Sequence, residues 1–442
     1  MDASIQRQAT WGALLRQTFP TVVMLVFTSI YSVVDGFFVS NFVGKGAFTA
    51  LNFVIPIPLV LGSLGFLFGT GGGALIARTL GEGRARQANE LFSMVVYATA
   101  VCAVAATVLG LLFLRPLTAL LGAEGALLED CVRYGRILLL ALPAYIFQYE
   151  FQCLFATAGK PGLGLGVTVA AGLTNMVLDA LFVAVLPWGL EGAAAATAVS
   201  QCVGGLLPLL YFARPNGSLL RLGRARFDLR NLGKVCLNGS SELMSNISMS
   251  VVSMLYNVQL LRYAGEDGVA AYGVLMYVSL IFQAVFIGYS VGAAPMISYQ
   301  YGAQNHPQLR ALRRKSLIVV SAFAAAMFAA ACLLARPLGV LFVGYDPQLL
   351  DLTVHAFSIF AFSFLLCGFS IFASAFFTAL NNGPVSAAIS FLRTLVFQVA
   401  AVLLLPVLWQ VEGIWLSTVA AEVLALVVSV LFLCAKRKKY GY

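Results

Sequence analysis

The sequence predicts an all-α integral membrane protein: twelve transmembrane helices forming two six-helix lobes, related by a pseudo-two-fold axis along the membrane normal. Three observations predict it. The apolar content is one that only lipid accommodates, about a dozen apolar runs have spanning length, and the second half repeats the first at one constant offset.

Of 442 residues, 60% are hydrophobic and 10% charged. A soluble chain is nearer a quarter charged, so this one could not cover its surface in water. A helix crosses the hydrocarbon core with roughly 20 apolar residues. Apolar runs fall at about 19–40, 52–78, 92–114, 137–158, 164–186, 192–212, 238–261, 270–299, 316–335, 357–379, 384–405 and 413–434. They read as helices because lipid cannot satisfy an open strand edge. The small residues of Gly192–Gly205 suit close helix–helix approach. No cleavage site follows the first run, which reads as an uncleaved first helix. The eight cysteines are scattered without a C-x-x-C, and the histidines are His306 and His355. A disulfide framework or a Cys/His metal site is therefore not expected.

The net charge of +9 has a topological explanation. With the N-terminus inside, alternate segments place 20 Lys and Arg on the inner side and six on the outer, among them Lys45; Arg393 falls within a helix. Both termini are then cytoplasmic. The polar stretch Arg214 to Lys234 reads as a cytoplasmic linker, dividing the chain into a lobe at 1–213, a linker at 214–236 and a lobe at 237–442. Its arginines suit topology and anionic headgroups, with no nucleic-acid partner expected.

The repeat is explicit. Gly71 and Gly292 stand 221 residues apart, as do Gly81 and Gly302, Arg115-Pro116-Leu117 and Arg336-Pro337-Leu338, and Glu191-Gly192 and Glu412-Gly413. Six helices is an even number, so both copies enter from the same side, with the substrate path between them.

No nucleotide-binding P-loop, H-E-x-x-H or nucleophile elbow occurs, and no catalytic centre or cofactor is expected. The run Gly69-Thr70-Gly71-Gly72-Gly73 follows no strand and reads as a helix-packing element. Energy would then come from an ion gradient, which needs ionisable groups inside the membrane, where they are costly. The candidates are Asp35, Glu150, Asp179, Glu242, Arg393 and Glu422. Asp35 and Asp179 both fall in the outer half of the first lobe, with Asn175 one turn below Asp179 and Thr197 on the next helix at similar depth. Two such carboxylates favour taking up a proton; with Asn175 and Thr197 they also make an oxygen cage for sodium. Arg393 and Glu422 read as a structural ion pair. Glu150 and Glu242 either line an inner vestibule attractive to cations or face headgroup water. Tyr31, Tyr256, Met276 and Phe282 are candidates for an apolar cavity lining.

These residues resemble a known family. Tyr31-Ser-Val-Val-Asp-Gly-Phe-Phe-Val39 followed by Gly71-Gly-Gly-Ala-Leu-Ile-Ala77 is similar to the first two helices of the multidrug and toxic compound extrusion (MATE) family. Gly159-Lys160-Pro161, Asn175-Met-Val-Leu-Asp179, Gly192-Ala-Ala-Ala-Ala-Thr-Ala-Val-Ser-Gln201 and Pro295-Met-Ile-Ser-Tyr-Gln-Tyr-Gly302 continue the likeness over essentially the whole chain. The resemblance implies a V-shaped pair of lobes in the cell membrane, working as a monomer. Such a protein exports small cationic amphipathic molecules in exchange for protons or sodium. It assigns Asp35, Asn175, Asp179 and Thr197 to a coupling-cation site and Pro20 to the bend of the first helix. Two features depart from the family pattern. The polar residue expected on the fourth helix is not an Asn, leaving Gln148 or Tyr149 as accessory residues, and Phe357 to Ala379 carries no acid. The alternative is a lipid-linked oligosaccharide flippase of the same two-lobe plan, which would want a cavity rich in Arg and Lys.

Overall fold

Helices carry the chain almost from end to end, and no strand forms among the described residues. The computed structural model describes residues 9–38, 42–43, 50–51, 53–120, 122–344 and 346–442. Val39 and Lys45, used in the sequence reading, lie outside them. The first lobe contains α1 (Trp11–Phe38), α2 (Pro56–Gly81), α3 (Ala85–Leu120), α4 (Gly125–Leu140), α5 (Leu142–Thr157), α6 (Pro161–Asp179) and α7 (Gly189–Ala213). The second contains α8 (Leu229–Gly302), α9 (His306–Val343), α10 (Pro347–Phe360), α11 (Phe362–Ala379), α12 (Gly383–Phe391) and α13 (Phe397–Tyr440). Short π-helical segments, Ala180–Val185 and Leu392–Val396, extend α6 and α12.

Nine of the described helices are long and apolar enough to cross a membrane, or ten with the bent pair α4–α5 as one span. Chain geometry supplies the other two. Straight, the 74 residues of α8 would measure roughly 110 Å, several times the ~30 Å hydrocarbon core. The helix breaks at Gly265, whose φ of 68° and ψ of −158° suit a residue without Cβ. The chain then doubles back, stacking Tyr256 on Tyr272 with centroids 5.1 Å apart. A second break at Trp409 and Gln410 divides α13, and Gly413 returns against the Leu405 carbonyl. The 53° bend between α4 and α5 falls at Ala141, two residues before Pro143, which has no N–H for an intrahelical bond.

The helices run further than the apolar runs, because their polar turns continue beyond hydrocarbon. Thus α3 spans 85–120 and α9 spans 306–343. Of the expected linker, residues 214–228 are non-helical. Leu229 opens α8, with the Asp228 side chain accepting from the Arg230 amide at 2.9 Å.

The lobes meet in a glycine seam on the face that holds the N-terminus. Gly71 lies against the Val235 carbonyl, Gly239 against that of Leu67, Gly81 against that of Tyr299 and Gly302 against that of Arg78. Higher on the seam, Gly288 and Gly292 receive the backbone of α1 at Val22 and Thr18. A Cβ at any of these positions would enter main-chain atoms of the other lobe, so the approach depends on its absence. A few polar contacts rim the seam: the Asn381 amide donates to the Ala74 carbonyl at 3.4 Å, and the Arg78 guanidinium sits 5.3 Å from the Tyr301 ring centroid. Beyond Met24, Leu25 and Ala284, which cluster together, none of the described bonds or ring contacts of α1 reaches the other lobe.

Replacing Gly239 with leucine is expected to overpack the seam by about 1–3 kcal/mol and separate the lobes at the N-terminal face. Spin-label distances across that face would lengthen; an unchanged distribution would show that the seam does not set the closed state.

Candidate functional site

The first lobe concentrates its polar chemistry where α1, α4, α5 and α6 converge. On α1, Tyr31 and Asp35 share one face a turn apart, and on α6 Asn175 and Asp179 do the same. Gly172 sets the register. Its missing side chain leaves room for the rings of Phe27 and Tyr31, so α1 lies close on α6, with Asp35 one turn beyond Tyr31 and Asp179 about two turns beyond Gly172. Asp35 and Asp179 are then within hydrogen-bonding reach of each other. Asp179 is fully buried and Asp35 partly exposed. Among the described residues no hydrogen-bond donor reaches either oxygen of Asp179 or Oδ1 of Asp35, and Oδ1 of Asn175 is also buried without a partner. Asp179 is the last α-helical residue before the π-helical turn Ala180–Val185. Such turns widen a helix locally and recur at functional sites.

Ionised carboxylates only accept hydrogen bonds. A facing pair without donors is satisfied by a proton held between the two, or by a hard cation taking oxygen ligands. Among the described residues no group of three or more His, Cys, Asp or Glu could hold a metal ion, so the arrangement is unlike a transition-metal centre.

The structure distributes the other candidates unevenly. Thr197 is half-buried and donates to the Ala193 carbonyl of its own helix at 3.1 Å, with no bond to the acids. Gln148 donates to the Tyr31 hydroxyl at 3.3 Å, its Oε1 buried and unpartnered, which links α5 to the carboxylate helix. Tyr149 turns away, bonding Tyr145 at 2.6 Å and stacking on Phe66. Pro20 lies inside a continuous α1. Glu150 faces neither vestibule nor headgroups: it is fully buried, with Thr99 donating to Oε1 at 3.1 Å and Oε2 unpartnered. Glu242 is half-buried between the lobes, close to Cys153 of one and Arg393 of the other. Met276 is half-buried, and Phe282 packs on Phe364 at 5.0 Å within the second lobe. One neighbour escaped the sequence reading. Tyr134 on α4 is buried close to both Asp35 and Asp179. It stands between Arg133 and Arg136, which put it outside the membrane, although Cys131, Tyr134 and Leu138 mark a buried face at helical spacing.

The second lobe is built differently. Arg393, in its π-helical segment, grips Glu422 with Nε 3.0 Å from both carboxylate oxygens and Nη2 2.9 Å from Oε1. Their side chains are 12% and 4% exposed, a buried pair neutralised within the fold. At the 221-residue offset, Asp35 corresponds to Tyr256 and Thr197 to Thr418. Those two are joined at 3.0 Å, and Tyr256 also donates to Gln398 at 2.8 Å. A closed hydroxyl network stands where the first lobe has acids. Among the described residues, every buried carboxylate or amide oxygen without a partner belongs to the first lobe.

Two pseudo-symmetric helical lobes, glycine-seamed on one face and with an unsatisfied acid pair in one of them, define a membrane transporter with alternating-access architecture. The MatE family model matches residues 20–181 and 243–403, one segment in each lobe, and the chain belongs to this family of multidrug and toxic compound extrusion (MATE) transporters. It is 25% identical over 384 residues to a multidrug export protein MepA of Staphylococcus haemolyticus, covering 86% of this chain and 83% of that one. Its identity to MepA of Staphylococcus aureus (strain MRSA252) is 21% over 440 residues, covering 98% and 96%. Among solved structures, the fold matches the outward-facing conformation of a multidrug resistance MATE family transporter of the MOP superfamily. There the TM-score is 0.93 at 21% identity, over 99% of this chain and 98% of that one.

The ion pair is testable by itself. Glu422→Ala, which strands Arg393, is expected to cost about 3–5 kcal/mol of stability, whereas Arg393→Met with Glu422→Leu restores most of it. Thermal melting in detergent reads both; a double variant as unstable as the single one would mean that the pair does more than hold the lobe.

Proposed function

We propose that the protein is a secondary active antiporter that exports organic cations, drugs or toxic metabolites from the cytoplasm in exchange for protons or sodium. The observation that carries this reading is the facing pair Asp35 and Asp179, in which both oxygens of Asp179 and Oδ1 of Asp35 are buried with no donor among the described residues. An uncompensated charge there is costly enough that the pair takes up a cation whenever the central space is open to it. With the seam closed on the N-terminal face and the opposite face open, the coupling ion enters from outside. Asn175 lends its oxygen and Tyr134 lies alongside. Neutralising the pair removes the repulsion between α1 and α6, so α1 bends near Pro20, the space narrows and substrate leaves outward. Reopening at the seam releases the ion inward and admits new substrate.

The basic loops support a plasma-membrane protein with both termini cytoplasmic. A proton moving in across 100 mV supplies about 2.3 kcal/mol, roughly fifty-fold of uphill pumping before any pH difference. The multidrug export relatives support small-molecule cargo. Glu242, at the interface of the lobes, supports a cationic one, attracted from the central space. The flippase reading loses its cation: Arg393, in the middle of a span, is committed to Glu422.

Gradient-driven export of a fluorescent cationic dye from everted vesicles is expected to fall at least tenfold in Asp35→Asn and in Asp179→Asn, with membrane insertion intact. Unchanged rates in both variants would refute the site. Separately imposed pH and sodium gradients then identify the ion.

A further inference from the structure

Both lobes carry a cleft where the third span of each repeat begins, and the two are filled differently. In the first lobe it is about 330 Å³ and is crossed by the linker. Asn89 accepts from the Arg221 amide at 2.7 Å, the Ser93 hydroxyl accepts from the Gly223 amide at 3.0 Å, and the Tyr97 hydroxyl donates to the Gly223 carbonyl at 2.9 Å. Leu220 is fully buried beneath this crossing. The chain thus satisfies the cleft with its own backbone.

At the same offset in the second lobe, Asn89, Ser93 and Tyr97 become Arg310, Arg314 and Ile318. The cleft widens to about 610 Å³, lined by these three with Arg313, Leu317 and Ser321. The C-terminal turn reaches only its edge, where Arg310 donates to the Gly441 carbonyl at 2.9 Å and the Arg313 guanidinium lies 5.2 Å from the Tyr442 ring centroid. None of the ion pairs among the described residues involves Arg310, Arg313 or Arg314. Arg437 stands beside Arg313, whose Nε is buried without an acceptor, and the first turn of α9 has no acidic residue. Cations so crowded in one place call for an anion. The axial order says which kind. The arginines occupy the second and third turns of α9, and Leu317 and Ile318, the latter 48% exposed, follow in the direction of the hydrocarbon. The site is cationic at the water boundary and apolar one turn deeper.

We propose that this cleft binds the phosphodiester headgroup of an anionic phospholipid, held by Arg310, Arg313 and Arg314, with an acyl chain against Leu317 and Ile318. Forked guanidinium donors match a phosphate bidentately, and clustered basic residues at a membrane surface attract anionic lipid. The lipid occupies in the second lobe the place that the linker takes in the first.

The test is native mass spectrometry of the purified protein titrated with phosphatidylglycerol and, separately, with phosphatidylcholine. Phosphatidylglycerol is expected to bind more tightly. Arg310→Gln with Arg314→Gln, both exposed positions, should weaken it roughly tenfold or more, from about five-fold per arginine; Arg314→Gln alone should move it the same way by less. Arg221→Gln with Arg224→Gln, in the filled cleft, should leave it unchanged. Retained affinity in the α9 variants, or equal loss in the linker variants, would overturn the proposal. Displacement of the lipid by millimolar inorganic phosphate would overturn it too, by showing a soluble-anion site.

Discussion

Two carboxylates that face each other inside a membrane must be neutralised by something, and in this protein the fold does not supply it. Asp35 and Asp179 are brought together by an absence, the missing side chain of Gly172, which lets α1 settle on α6. Other polar groups of the same lobe (Asn175, Gln148, Glu150) likewise carry oxygens left unmatched. Such an arrangement is costly, and the coupling cation proposed above is the partner that would relieve it. The second lobe shows the opposite solution on the same scaffold. Arg393 and Glu422 satisfy each other, and Tyr256, Gln398 and Thr418 close into a network. The duplicated architecture thus carries divided chemistry, unmatched acid oxygens in one lobe and a satisfied ion pair and hydroxyl network in the other.

Coupling between the two requires that a local change in α1 be felt across the molecule. The same helix that carries Asp35 gives its lower turns, at Thr18 and Val22, to the seam with α8. Ion site and seam are thus two ends of one continuous helix, and Pro20, whose ring removes one regular helical bond, lies between the two seam contacts. A rearrangement at one end must be absorbed at that proline or passed on to the seam.

Much of this was legible in the sequence. The twelve spans follow from apolar length once the breaks at Gly265 and Gln410 are allowed, and the repeat from a constant offset. The acid pair and the Arg393–Glu422 pair follow from the cost of burying charge. What escaped did so for identifiable reasons. Tyr134 lies on an amphipathic helix whose arginines suggest exposure. The π-helical turns after Asp179 and around Arg393 change a helix by one residue and leave no compositional mark. Glu150 reads as interfacial by depth, yet the buried Thr99 hydroxyl that holds it comes from another helix. Thr197 sits on the expected helix, but a helical threonine can bond its own backbone, and this one does. Gly71 and Gly81 could be read as packing residues, but not that their partner is the other half of the chain.

The seam has an evolutionary consequence. Its main contacts are hydrogen atoms of glycines resting on main-chain carbonyls, and glycine is already the smallest residue. Selection acting on these positions can only enlarge them, and every enlargement pushes the lobes apart. The balance between the two faces of the transporter is therefore tunable in one direction only at this surface, and any adaptation towards tighter closure has to arise elsewhere, among the few polar contacts that rim it.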